Sequence, residues 1–277
     1  MKPNFARPKQ NSSTSEINLS SRIWSDDGGC PFGTVPINHT CKFSCMWLIR
    51  AFRGAAVTQK RITKEYLVRQ RNMPSPEEVT YDTELTTLAI VQILKNPNNN
   101  FADGGMSASL YNPHVEGQQQ SACRLKIQNG SDIIQVGWRV DPTLYSDNKT
   151  RLFVDFQAGN THCLNTLCPG FVLVSSVIPV DMAFDKISHR VYNPWEFRMY
   201  IDRDLANGNG WLLAGKYYKQ IGFWPQKLFT SLASFADNVE WGGVTYSPPG
   251  VPKPPMGSSY FPIRNIAYDA YCRRLII

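Results

Sequence analysis

A chain of 277 residues with 42% hydrophobic residues, 7 Trp, 12 Tyr and 14 Phe can fill a substantial core. It holds no apolar run of the roughly 18 residues that a membrane-crossing helix needs, so no membrane insertion is expected. The net charge of +7 is uneven: residues 1–71 hold 12 Lys/Arg against 4 Asp/Glu, the remainder 17 against 18. A nucleic-acid surface needs a basic stripe on a folded face, and these charges fall on a loose leader and two short helix-like stretches, so nucleic acid is not the expected partner.

Residues 1–29 are rich in Asn, Ser, Lys and Pro and read as a flexible leader. Met1-Lys2-Pro3-Asn4-Phe5 lacks the apolar core of a secretory signal. Asn-x-Ser/Thr sequons at Asn11, Asn18, Asn38, Asn129 and Asn148 still give mild support to a secretory history. Residues 46–56 and 62–72 have helical composition, and residues 73–79 read as a linker. The expected division is residues 1–70 as a small, partly helical segment and 71–277 as the main domain.

From about residue 84 the pattern is strand-like. Trp195, Phe197, Met199 and Ile201 alternate with Glu196, Arg198, Tyr200 and Asp202, which puts the two sets on opposite faces. Asn207-Gly208-Asn209-Gly210 turns the chain, and Trp211-Leu212-Leu213 begins the return. Short strands are expected at 106–111, 122–128, 133–140, 151–156, 170–178 and 266–276. One helix is expected after Pro225, where Leu228, Phe229, Leu232 and Phe235 recur at helical spacing. Many short strands and few helices predict an all-β fold, an antiparallel, jelly-roll-like β-sandwich.

Four His occur, at positions 39, 114, 162 and 189, and no metalloprotease helix motif, serine elbow or phosphate loop accompanies them. His39, Cys41 and Cys45 lack a second half for a zinc site. No metal and no cofactor is therefore expected. Seven Cys permit disulfides and leave at least one unpaired within the chain.

Three stretches carry a resemblance: Cys30-Pro31-Phe32-Gly33-Thr34-Val35-Pro36-Ile37, Gly159 through Phe171, and Trp241-Gly242-Gly243-Val244 with Met256-Gly257-Ser258-Ser259-Tyr260-Phe261. Gly137 through Tyr145, Thr150-Arg151-Leu152-Phe153 and Ile221 through Phe229 add to it in the same order. Over residues 22–277 the chain resembles the neprosin family, plant glutamic peptidases that cleave next to proline. The resemblance implies an activation-peptide-like segment, then a β-sandwich with a groove on one sheet. It also implies a Cys163–Cys168 disulfide and a secreted protein.

The family mechanism implied uses two facing glutamates, one ionised and one protonated, because neighbouring carboxylates split their pKa values. Here Val244 stands where the family has Glu after Trp-Gly-Gly, by substitution or by loss of one residue. Asn112, in Leu110-Tyr111-Asn112-Pro113, aligns with the second glutamate. Neither side chain can act as a base near neutral pH. The expectation is a catalytically degenerate member that binds proline-containing peptide or protein. The alternative is an active proline-directed endopeptidase using Glu116 and Glu240, each four residues from the aligned position, roughly 13 Å along a strand. Tyr111, Trp138, Trp241, Gly242 and Gly243 are expected to line the groove, where flat rings and close backbone would seat a proline-rich chain.

Overall fold

The computed structural model describes residues 34–37, 44–47 and 84–277, apart from 95, 97, 146 and 193. Strands β1 (Thr34–Ile37) and β2 (Ser44–Trp47) pair antiparallel. The expected helix over 46–56 thus begins on a strand at Met46 and Trp47. Its remainder, the stretch 62–72 and the domain boundary near residue 70 lie outside the described residues.

The strands that follow are β3 (Thr86–Gln92), β4 (Asp103–Ser109), β5 (Gln120–Asn129), β6 (Asp132–Val140), β7 (Arg151–Ala158), β8 (Thr161–Leu164) and β9 (Val172–Leu173). A single-turn helix α1 (Pro142–Tyr145) separates β6 from β7. Then come β10 (Glu196–Arg203), β11 (Gly210–Ala214), β12 (Lys219–Trp224), β13 (Asn238–Tyr246) and β14 (Cys272–Ile276).

They form two six-stranded antiparallel sheets. The first runs β14-β4-β10-β11-β12-β9, the second β3-β13-β5-β6-β7-β8. Strict alternation builds the interior. Phe197, Met199 and Ile201 of β10 face Val136 and Trp138 of β6, Leu152 and Val154 of β7, and Val239 and Trp241 of β13 in one buried cluster. Each fully buried aliphatic or Phe side chain in it contributes about 1.5–3 kcal/mol. The all-β sandwich expected from the strand pattern is what the chain adopts.

The expected helix after Pro225 shrinks to a 3-10 turn, Gln226–Leu228. Its physical reason is competition from side chains. Asp132 Oδ2 accepts the backbone N–H groups of Thr230, Ser231 and Leu232 at 2.7, 2.6 and 3.1 Å. Arg203 donates to the carbonyls of Leu232, Ala233 and Ser234. Phe229, Leu232 and Ala236 still reach the core from this irregular loop. The expected strand 170–178 survives only as β9, and 266–276 only as β14, since Asp269 folds residues 263–265 around its carboxylate. No helix among the described residues is long and apolar enough to cross a membrane.

Candidate functional site

The outer face of the second sheet carries an unusual load. On β13, Val239 and Trp241 point into the core, so Glu240, Gly242 and Val244 point outward. Register extends these positions into rows across the sheet. One row runs Gln92, Glu240, Lys126, Gln135, Asp155. The next runs Ile90, Gly242, Arg124, Gly137, Phe153, and the third Leu88, Val244, Ala122, Arg139, Arg151.

Glu240 is fully engaged. Its Oε1 accepts from Lys126 Nζ at 3.1 Å and Asn238 Nδ2 at 3.0 Å, and its Oε2 lies 3.4 Å from Arg124 Nη2. In the adjoining row Arg124 lies between two glycines, and the strands need both. A Cβ on Gly242 would sit 2.2 Å from Ala89 O, and its φ of +142° is closed to other residues. A Cβ on Gly137 would sit 2.0 Å from Cys123 O. The floor either side of Arg124 is therefore bare backbone.

Gln135 and Asp155 are directly opposed on β6 and β7, both buried. Gln135 Nε2 and Asp155 Oδ1 have no hydrogen-bond partner among the described residues. Burial pushes the Asp155 carboxyl up to about 7, against the pull of Arg139, the Phe156 backbone N–H and Arg124. Arg139 is committed elsewhere, to Asp141 Oδ2 and Gln120 Oε1, both at 2.5 Å. The row thus offers one unused donor and one unused acceptor side by side, the requirement of a peptide group.

Val244 is 7% exposed and packs with Leu88, Ala122, Leu144, Tyr145, Phe153, Leu164 and Leu167. The Cys163–Cys168 disulfide, with Cα atoms 6.0 Å apart, closes the loop that presents Leu164 and Leu167 to this cluster.

Asn112 is elsewhere. It is exposed in the loop after β4, and Thr150 Oγ1 lies 2.7 Å from both its Oδ1 and Tyr111 O. Thr150 immediately precedes Arg151, which stands three strands from Val244 in the third row, roughly 14 Å at ~4.8 Å per strand. The structure does not bring Asn112 and Val244 face to face. Nor does it join Glu116 to Glu240. Glu116 is exposed and pairs with His114 Nε2 at 2.9 Å, in the loop before β5. Gln120 at the start of β5 is already roughly 20 Å along the strand from Lys126, the residue level with Glu240.

The expected groove-lining aromatics require correction. Tyr111, Trp138 and Trp241 are buried between the sheets. Trp138 Nε1 donates to Ser109 O and Trp241 Nε1 to Gly105 O, both at 2.9 Å. Each indole has one polar atom, and β4 of the opposite sheet satisfies it, so these rings bind the two layers together. Gly243 is also inward, beneath Met256, whose Sδ would lie 2.3 Å from a Cβ there. Of the five, Gly242 alone is on the outer face of the sheet.

Of the sequons, Asn148 is exposed, and Asn129 is half-buried with its Nδ2 donating to Phe235 O at 2.7 Å. Asn11, Asn18 and Asn38 lie outside the described residues. No three His, Cys, Asp or Glu side chains among the described residues gather as a metal site.

Sequence reasoning passed over Arg124, Lys126, Gln135 and Arg139. A signal was present: these polar residues fall at period two between Leu125, Ile127, Ile134 and Val136, so one face of β5 and β6 carries them all.

A family model described as Neprosin matches residues 117–277, more than half of the chain. Among solved structures, scytalido-glutamic peptidase with a peptide-based transition-state analogue is 10% identical, covering 63% of this chain and 73% of that one, at a TM-score of 0.35. A second structure of scytalido-glutamic peptidase, with a transition-state analogue inhibitor, is 11% identical over 58% of this chain and 65% of that one, also at 0.35.

Proposed function

The chain belongs to the Neprosin family, and we propose that it is a peptide-binding member that holds an extended, proline-containing segment on the outer face of the second sheet without the family's glutamate-pair chemistry. One observation carries this reading: Gln135 and Asp155 are opposed on adjacent strands of that face, and Gln135 Nε2 and Asp155 Oδ1 are buried and without a partner among the described residues. A peptide carbonyl and N–H would satisfy them, and each buried polar group left unpaired costs about 1–3 kcal/mol. Proline, with no N–H, suits the neighbouring apolar cluster of Val244 and Phe153 better than the polar row.

Two further observations support the non-cleaving half. Val244 has no titratable group and packs with Leu88, Ala122, Phe153, Leu164 and Leu167. In the polar row, the two carboxylates Glu240 and Asp155 are three strands apart, roughly 14 Å, too far to share a proton or a water. The same reading places the protein in an oxidising, secretory setting, supported by the Cys163–Cys168 disulfide and the exposed sequon at Asn148.

The test is a fluorescent proline-rich peptide titrated into pure protein, followed by mass spectrometry of the peptide after incubation from pH 3 to 7. Binding that weakens at least tenfold in Gln135→Leu, with the peptide intact, is the expected result. A second reading rests on Glu240 and Gln135 sharing a row two strands apart. There Gln135 Nε2 would polarise the carbonyl, and Glu240, released from Lys126, would act on water. Cuts beside proline that vanish in a folded Glu240→Gln variant would establish that reading and overturn the first.

A further inference from the structure

Cys123 and Cys272 are free thiols whose sulfurs lie 3.1 Å apart. Cys123 is on the central strand β5 of the second sheet, opposite Trp138 and Gly243. Cys272 is the first residue of β14, the edge strand of the first sheet, opposite Ala108 of β4. Both side chains pack on the core between the sheets. The pair therefore spans the sandwich, and it joins positions 149 residues apart in sequence.

We propose that Cys123 and Cys272 are a second disulfide site, closed by thiol–disulfide exchange, that covalently fastens β14 to the opposite sheet. Closing the bond needs an approach of only ~1 Å to reach the disulfide length of about 2.05 Å. Core packing already directs the two side chains at each other. The pairing of β14 with β4 breaks register between Arg273 and Ile276, so a cross-sheet bond at Cys272 would pin the strand beside that irregularity.

The order of events follows from exposure. Cys272 is half-buried and Cys123 buried, so Cys272 meets the oxidant first. The Cys272 thiolate attacks one sulfur of a small-molecule disulfide such as glutathione disulfide, and one glutathione leaves as thiol with the proton. Cys123 then loses its proton and attacks the Cys272 sulfur of the mixed disulfide, expelling the second glutathione. Two protein thiols become one disulfide, and one glutathione disulfide becomes two glutathiones. The hydrogen-bonding contact with Cys272, and then burial, hold the Cys123 thiol well above its usual range, so Cys123 is a poor first attacker. That contact is gone once Cys272 is in the mixed disulfide.

The experiment treats the full chain with glutathione disulfide, alkylates the remaining thiols, and maps peptides without reduction. The expected product links the Cys123 and Cys272 peptides, with Cys163–Cys168 intact. Because the closed loop is long, the oxidised protein should melt about 5–15 °C higher than the thiol form, and Cys272→Ser should lose that rise. The proposal is overturned if both thiols are recovered alkylated. It is overturned equally if Cys272 is found only as a glutathione adduct or joined to another cysteine, or if Cys272→Ser keeps the full thermal gain.

Discussion

Lys126 Nζ reaches Glu240 Oε1 at 3.1 Å between adjacent strands, with both side chains no more than 4% exposed. A buried ion pair is a poor source of net stability, but a broken one is costly, because the surviving charge has nowhere to go. Lys126→Met should destabilise by about 3–5 kcal/mol in urea unfolding at pH 7. Lys126→Met with Glu240→Leu should recover most of that loss. If the single variant costs no more than an ordinary surface change, the pair is not buried as described.

Asp155 should set part of the pH dependence of folding. Its folded pKa of about 7 lies above the ordinary aspartate value near 3.9. Between those values the native state keeps a proton that the unfolded state has released. Stability therefore falls as pH rises from ~4 to ~7, at up to about 1.4 kcal/mol per pH unit from this group, and levels off above. Asp202, also raised to about 7, and Asp181, raised to about 8, act in the same direction. The readout is accordingly a difference. Asp155→Asn should be the more stable form at pH 8 and show a shallower decline than the parent between pH 4 and 7. Parallel pH curves for the two proteins would refute it.

Asp132 replaces the helix that the sequence around Pro225 predicts. One carboxylate oxygen takes three consecutive backbone N–H groups, from Thr230 to Leu232, and the other takes Gly159 N–H at 3.2 Å. Asp132→Ala orphans these donors and should cost about 2–4 kcal/mol, with Asp132→Asn intermediate. Limited proteolysis should then cut within residues 226–236, where the parent resists. An unchanged cleavage pattern would show that the loop holds itself.

The sandwich was legible because burial on one face leaves a period-two trace, and β10 shows it clearly: Phe197, Met199 and Ile201 inward, Glu196 and Arg198 outward. The loop after Pro225 was not, since the residue that organises it is Asp132, about 100 positions away in sequence. Trp138 and Trp241 looked like groove walls because each stands beside glycine. The glycines serve the close approach of neighbouring strands, while the indoles point the other way and donate to β4. Asn112 was matched to the second glutamate by the family resemblance alone, and no local pattern could reveal that it lies in the loop after β4 while Val244 stands on β13 of the second sheet. The polar row was written in plain alternation, but charged residues at period two normally mark a solvated face. Their burial is a tertiary fact.

Restoring the family residue at position 244 tests whether that site retains anything but its scaffold. Val244→Glu would put a carboxyl among Ala122, Phe153, Leu164 and Tyr145, where the nearby guanidinium groups of Arg139 and Arg151 are already bonded to Asp141 and Asp147. Burying an unpaired polar group there should cost about 2–4 kcal/mol. Desolvation would raise the pKa of the new group, so the loss should be largest near pH 8 and smallest near pH 4, where the carboxyl folds protonated. Proline-adjacent cleavage should not appear, because on the proposed reading no second carboxylate faces position 244: Asn112 is held by Thr150, whose neighbour Arg151 stands three strands from Val244, roughly 14 Å. A folded Val244→Glu protein that cuts beside proline would show that a single carboxylate completes the site, and that the groove had kept its catalytic geometry while losing one group.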